Sequence, residues 1–212
     1  MKNKLKFLLQ LNKLNEMPRA YWRMRGVKNP ETVAGHIFTL LLMAWIFARE
    51  GRSRLNLNKL MEMAICHELT AICTGDTTPY DNILPKNKKG KNEILKRWPL
   101  LLEKHKKAIF KEDFKKEEKA IAKIVSSLDH SFGKEIMKLW KEYRSKSSPE
   151  GQFLSQLNVL AVLFTGLLYE KKNKKFSVAP LWEWFLQSSD NPLILKIGEE
   201  MKKEFYPPVK KK

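Results

Sequence analysis

Apolar residues recur along this chain at helical spacing, and period-two β-branched runs are scarce, so the pattern points to an all-α helical bundle. Leu5, Leu8, Leu9 and Leu11 mark a first helix over Met1 to Met17, ended near Pro18. Asn29-Pro30-Glu31 reads as the start of a second helix, with Asn29 as cap and Pro30 in its first turn. That helix is predicted to pass through His36 to Arg49 and to stop at Gly51. A third begins near Asn56 or Asn58, carries Leu60, Met63, Ala64 and His67 towards Cys73, and closes at Gly75. An irregular loop, Asp76 to Lys91, is broken by Pro79, Pro85 and Gly90. Further helices are predicted over Lys91–Ile109, Lys115–Leu128, Gly133–Arg144, Pro149–Glu170, Ala179–Gln187 and Pro192–Phe205.

At 212 residues and 43% hydrophobic content, one domain with a sizeable core is expected. The boundaries read as 1–175 for the main domain, 176–206 for a helical extension packing on it, and 207–212 for a basic tail. No secretory signal is read in the Lys-, Leu- and Phe-containing N-terminus. The richest apolar run, Ile37 to Ala48, is about half of what a membrane span needs, so no membrane partner is expected. Cys66 and Cys73 are read onto one helix, ~10 Å apart along its axis, too far for a disulfide, and a reducing cytoplasm is the expected location.

Lys and Arg number 41 against 23 Asp and Glu, a formal net charge of +18, which favours an anionic substrate or partner. The basic residues are mostly clustered lysines rather than arginines interleaved with aromatics. This fits a solvated surface better than a nucleic-acid reader.

Three residues stand out chemically. His36 lies among Val33, Phe38 and Leu40; alone, it reads more readily as a hydrogen-bonded core histidine than as a ligand. His67 and Glu68 form an adjacent nitrogen–oxygen pair inside Ala64-Ile65-Cys66-His67-Glu68-Leu69. Burying an imidazole beside a carboxylate costs several kcal/mol unless something satisfies both. A divalent cation would do so, since both are ordinary ligands for such ions. Asp129-His130, near Gly133, reads as a helix cap. His105, among lysines, reads as surface, and Trp182, Trp184 and Phe185 as core or interface aromatics.

The surrounding segments carry a wider pattern: Pro18-Arg19-Ala20-Tyr21-Trp22, Pro30-Glu31-Thr32-Val33-Ala34-Gly35-His36, His67-Glu68-Leu69 with Thr74-Gly75-Asp76, and Pro79-Tyr80-Asp81-Asn82-Ile83. Leu139 to Tyr143, Ser147 to Phe153 and Gln156-Leu157-Asn158 continue it. In order and spacing, from about Leu11 to Glu170, the chain resembles the HD-domain 5′-deoxynucleotidase family. The resemblance implies an HD-domain helical bundle in a single domain. It implies a divalent metal ion (Mn, Co, Zn, Fe or Mg) held by His36, His67, Glu68 and Asn158, a phosphate-binding Arg19 with Trp22 beside the pocket, and an Asp76 that positions water. Glu68 stands where the family has Asp, Asn158 where it has a ligating Asp, Ala71 where it has a catalytic Glu, and Gly35 where an acid usually precedes the first histidine. Glu93 matches an acidic family position but reads more readily as a solvated helix residue, and Lys88, in the loop from Lys86 to Lys91, is a further candidate for phosphate.

The reading that follows is a metal-dependent phosphatase of nucleoside 5′-monophosphates, with Glu68 and Asp76 as catalytic acids and a homodimeric assembly implied by the resemblance. Two alternatives are weighed against it. One is a silent member that binds nucleotide or a partner without turnover; the other is a helical protein that binds polyanions through its basic surface.

Overall fold

A computed structural model describes residues 2–51, 54–78, 81, 85, 87 and 103–207, side chains of 2 and 103–107 apart. Ten helices are found among them: α1 (Lys2–Glu16), α2 (Ala20–Met24), α3 (Val33–Glu50), α4 (Leu57–Cys66), α5 (Ala71–Thr74), α6 (Glu103–Val125), α7 (His130–Ser145), α8 (Pro149–Lys172), α9 (Ala179–Ser188) and α10 (Pro192–Phe205). The described residues contain no strand, only an isolated antiparallel bridge between Pro18 and Thr32. The all-α expectation therefore holds.

The hub of the bundle is α8, against which α3, α4, α7, α9 and α10 all pack. Its sequence explains why. Ser148 caps it by accepting from Gly151 N–H, Pro149 and Glu150 suit its first turn, and Lys171 and Lys172 close the last. Between these ends it is apolar on nearly every side, the pattern of a helix enclosed by others. Leu154, Leu157, Leu160 and Leu163 are completely buried, each contributing about 1.5–3 kcal/mol. Phe176, Val178, Leu181, Phe185 and Ile194 join the same core.

Several boundaries differ from those expected. The cap of α3 is Thr32, which accepts from Gly35 N–H, rather than Asn29. The cause is upstream: Arg19 N–H donates to Glu31 O and Val33 N–H to Met17 O, holding residues 17–19 and 31–33 as a short extended pair. The single helix expected from Asn56 through Cys73 is two, because α4 ends at Cys66 and α5 starts at Ala71. Cys66 and Cys73 thus lie on different helices, both as free thiols. Of the helix expected over Lys91–Ile109, residues 91–102 lie outside the described set. No break follows Ile109: α6 is continuous, with Phe110 and Phe114 one turn apart and Phe114 against Trp140 at 5.1 Å. The short α2 was not anticipated. Two helices, α3 and α8, are in fact long and apolar enough to cross a membrane. Two-thirds of the apolar window of α8 is buried inside the bundle, against one-third of that of α3.

Candidate metal centre

After Cys66 the backbone tightens into consecutive three-residue turns: Leu69 N–H donates to Cys66 O, Ala71 to Glu68 O, Ile72 to Leu69 O and Cys73 to Thr70 O. His67 and Glu68 sit in this break rather than within a helix. His67 Nδ1 lies 2.7 Å from Ala64 O. Since a carbonyl only accepts, Nδ1 carries the proton, and Nε2 keeps its lone pair. That nitrogen is buried and without a hydrogen bond among the described residues.

From the first turn of α3 comes His36, completely buried, with neither ring nitrogen in a hydrogen bond of ordinary geometry among the described residues. The two imidazoles face each other at 5.5 Å. One donor atom each from His36, His67 and Glu68 lies within 4.8 Å of the others, a cluster brought together from α3 and the α4–α5 break. Burial lowers the pKa of both histidines, that of His36 well below its usual value with Arg19 and His67 adding to the effect. Both rings are therefore neutral and able to donate lone pairs to a cation. Buried nitrogens with no partner, set beside a carboxylate, fit a divalent ion by the chemistry of the donors.

Arg19, at the start of α2, reaches the same place. Its Nη1 lies 2.6 Å from Glu68 Oε1 and 3.1 Å from Asp76 Oδ1. Burial would push the Glu68 carboxyl up, but the Arg19 guanidinium beside it outweighs that and takes it down to about 2. Asp76 moves the other way: burial raises it, Arg19 offsets part of that, and Glu68 adds to the rise. Asp76 Oδ2 also accepts from Ala20 N–H at 2.5 Å. The chain can turn back to place it there because Gly75 adopts φ 74°, ψ 167°, a conformation essentially confined to glycine. Beside Asp76 opens a cavity of about 360 Å³ lined by Thr74, Thr77, Thr78, Asp81, Asp113, Lys116 and Glu117.

The remaining candidates divide. Asn158, from α8, donates through Nδ2 to Tyr143 Oη at 2.9 Å, and its buried Oδ1 has no hydrogen bond of ordinary geometry among the described residues. The amide lies near enough to His36 to favour that ring's protonated form, so the fourth expected ligand position is at the site. Ala71 is buried and brings no ionisable group. Trp22 is 1% exposed and packs against Tyr21, Tyr169 and Phe176. Lys88 and Glu93 lie outside the described residues. Asp129 caps α7 by accepting from Ser131 and Phe132 N–H, as its sequence position suggested.

One residue at the site was missed, Glu31. Its Oε1 accepts from Trp22 Nε1 at 2.8 Å and lies 3.8 Å from His36 Nδ1. The available signal was its isolation, as the one acid between Glu16 and Glu50.

Comparison with known proteins gives a consistent picture. The family model of the HD domain matches residues 11–190. The 5′-deoxynucleotidase HDDC2 of Mus musculus is 28% identical over 201 residues, covering 94% of this chain and 87% of that protein. The human protein of the same name is 27% identical, with 94% and 85% covered. Among solved structures, a conserved hypothetical protein of Pyrococcus furiosus superposes with a TM-score of 0.66 at 19% identity, over 95% of this chain and 98% of the other. A protein described as a predicted metal-dependent phosphohydrolase, from Magnetospirillum magnetotacticum, gives 0.62 at 18% identity, over 96% of each chain. These last two likenesses establish the fold alone.

Proposed function

Because the chain belongs to the HD-domain family, we propose that it is a divalent-metal-dependent phosphomonoesterase acting on nucleoside 5′-monophosphates. The observation that carries this reading is the convergence of three buried donors, from His36, His67 and Glu68, within 4.8 Å. His36, His67 and Glu68 would hold the ion, with Asn158 Oδ1 as a neutral fourth donor. When bound, the ion supplies Lewis-acid polarisation of a phosphoryl oxygen and makes water more acidic.

The chain's own groups do the rest. Arg19 binds the phosphate oxygens, a role suited to a guanidinium held between two carboxylates. Asp76, raised by burial, is the better base of those two carboxylates and takes a proton from the attacking water. As the bond from phosphorus to the 5′-oxygen breaks on the opposite side of the phosphoryl group, the leaving oxygen takes a proton from solvent and Asp76 gives its own back to solvent, leaving nucleoside and phosphate. The cavity beside Asp76 is of a size to take the nucleoside. We further propose a homodimer; Phe38, Trp45 and Ile46 leave an exposed apolar stripe on α3 that supports it.

A second reading, binding without turnover, is favoured by two specific features. Ala71 offers no proton, and Asn158 brings no charge. The deciding experiment combines metal analysis of purified protein with a phosphate-release screen over nucleoside 5′-monophosphates, with and without Mn²⁺ or Co²⁺. Turnover that needs added metal, stops with chelator and is lost in His67→Ala supports the phosphatase. Nucleotide binding by metal-loaded protein without release overturns it in favour of the second reading. Binding of neither metal nor nucleotide overturns both.

A further inference from the structure

We infer that Glu31 is a positioning residue for this cation site: it fixes the proton of His36 on Nδ1 and so presents the Nε2 lone pair to the donors of His67 and Glu68. The inference rests on the metal-binding reading above and adds to it a residue that the ligand set does not contain.

Glu31 is held from four directions. Its N–H donates to Tyr169 Oη at 2.7 Å, and its carbonyl accepts from Arg19 N–H at 2.9 Å. Its carboxylate accepts from Trp22 Nε1 through Oε1 at 2.8 Å and from Thr165 Oγ1 through Oε2 at 3.3 Å. Tyr169 and Thr165 both belong to α8, the hub of the bundle, and Trp22 to α2. The carboxylate, 14% exposed, therefore has little freedom to swing away. Oε1, the oxygen bound by Trp22, is also the one that lies 3.8 Å from His36 Nδ1.

A histidine ligand needs its second nitrogen directed at an oxygen, which selects the tautomer and raises the donor strength of the first. His67 has this arrangement already, with Nδ1 on Ala64 O. Among the described residues, Glu31 is the carboxylate within 4 Å of the His36 ring, and it lies on the Nδ1 side. A small approach closes 3.8 Å to a hydrogen bond. Holding a carboxylate rigid and mostly out of water is costly. Aiming it at a ligand imidazole gives that arrangement a use that merely satisfying the Trp22 indole would not require.

The test is long-range ¹H–¹⁵N correlation spectroscopy of metal-free protein at pH 8, which reads each histidine's tautomer, together with titration by Co²⁺ alone. The expected wild-type spectrum shows His36 and His67 both protonated on Nδ1. Glu31→Met should move His36 away from that tautomer, leave His67 unchanged and weaken Co²⁺ binding by about 10- to 100-fold. Glu31→Gln, which keeps an acceptor oxygen, should retain the tautomer and most of the affinity. A purely structural Glu31 would lower thermal stability in both variants without moving the tautomer, and that result overturns the assignment. So does a wild-type spectrum with the His36 proton on Nε2, which needs no variant to fold. Wild-type protein that shows the expected tautomers but binds no Co²⁺ would sink the metal-binding reading and Glu31's part in a cation site, leaving only its hold on the His36 tautomer.

Discussion

The family resemblance implies an acid at two positions held here by Ala71, enclosed on α5, and Asn158, whose amide nitrogen donates to Tyr143 Oη. Each substitution removes negative charge from a site whose Arg19 already offsets Glu68 and Asp76. Restoring both in the double variant Ala71→Glu/Asn158→Asp is expected to raise Mn²⁺-dependent phosphate release by about 100-fold, the contribution of one general acid–base group. Tighter metal retention on dialysis should accompany the gain. An unchanged rate in folded, metal-loaded double variant would count against the assignment of these positions. Gly75 bears on the same chemistry through the backbone. A Cβ there would meet nothing within 4 Å, so Gly75→Ala is opposed by its dihedral angles and not by crowding. We expect a loss of about 1–3 kcal/mol in chemical denaturation. Displacing Asp76 from Ala20 N–H should also cost about tenfold or more in phosphate release. At this scale the sequence was informative wherever a residue type was out of place in its run. An imidazole among aliphatics drew attention to His36 and His67. Glu31 escaped because a glutamate near a helix start has an ordinary explanation, and its true contacts come from α2 and α8.

Among the elements, the break between α4 and α5 has the most influence on the site. Apolar spacing continues through Met63, Ala64, Leu69 and Ile72 whether the turns are of three residues or four, which is why one helix was expected there. Helix ends with polar caps were easier to place. Asn56, Asp129, Ser148 and Asn191 all accept from backbone N–H groups one turn ahead. The joint of α4, α7 and α8 is polar: Lys59 Nζ lies 2.7 Å from Glu142 Oε2 and 2.9 Å from Glu150 Oε2. The Lys59 ammonium holds Glu142 below its usual range. For Glu150, burial acts upward and is outweighed by Lys59 and the Asn56 N–H. Depressed carboxyls stabilise the fold fully above their ordinary value of 4.5, and the contribution is lost as pH falls through their folded-state values. Lys59→Met should therefore lower stability at pH 7, by about 1 kcal/mol given the partial exposure of the pair. The gap from wild type should close as the pH is taken down through the range below 4.5; melting curves at stepped pH would show it. A gap that widens in acid would contradict this origin.

Across the whole molecule, a largely apolar interior around α8 is wrapped in a chain bearing a net charge of +18. Long-range attraction for a phosphomonoester dianion follows, and salt screens it. Nucleoside monophosphate binding is expected to weaken several-fold between about 0.05 and 0.5 M salt, measured as KM or as Kd in metal-loaded protein. His67→Ala separates this effect from association with polyanions in general: loss of nucleotide binding with unchanged, salt-sensitive nucleic-acid binding would place the latter on the lysine surface. Fold class and the two buried histidines of the candidate site were legible in sequence because periodicity and chemically misplaced residues are local signals. The approach of Arg19, Glu31 and Asp76 to one another was not, since it depends on how distant segments meet.

The extended pairing of residues 17–19 with 31–33 ties two arms of the site together. Arg19 leaves one side of that pair, and Glu31, with His36 just beyond, leaves the other, each anchored by main-chain bonds that do not involve the turn joining them. The two arms behave as a buckle whose strap is spare. A nick in the stretch between Gly26 and Pro30 should leave the anion-binding guanidinium and the first imidazole still fastened to each other, and a protease-clipped sample would be a poor guide to whether this centre is intact.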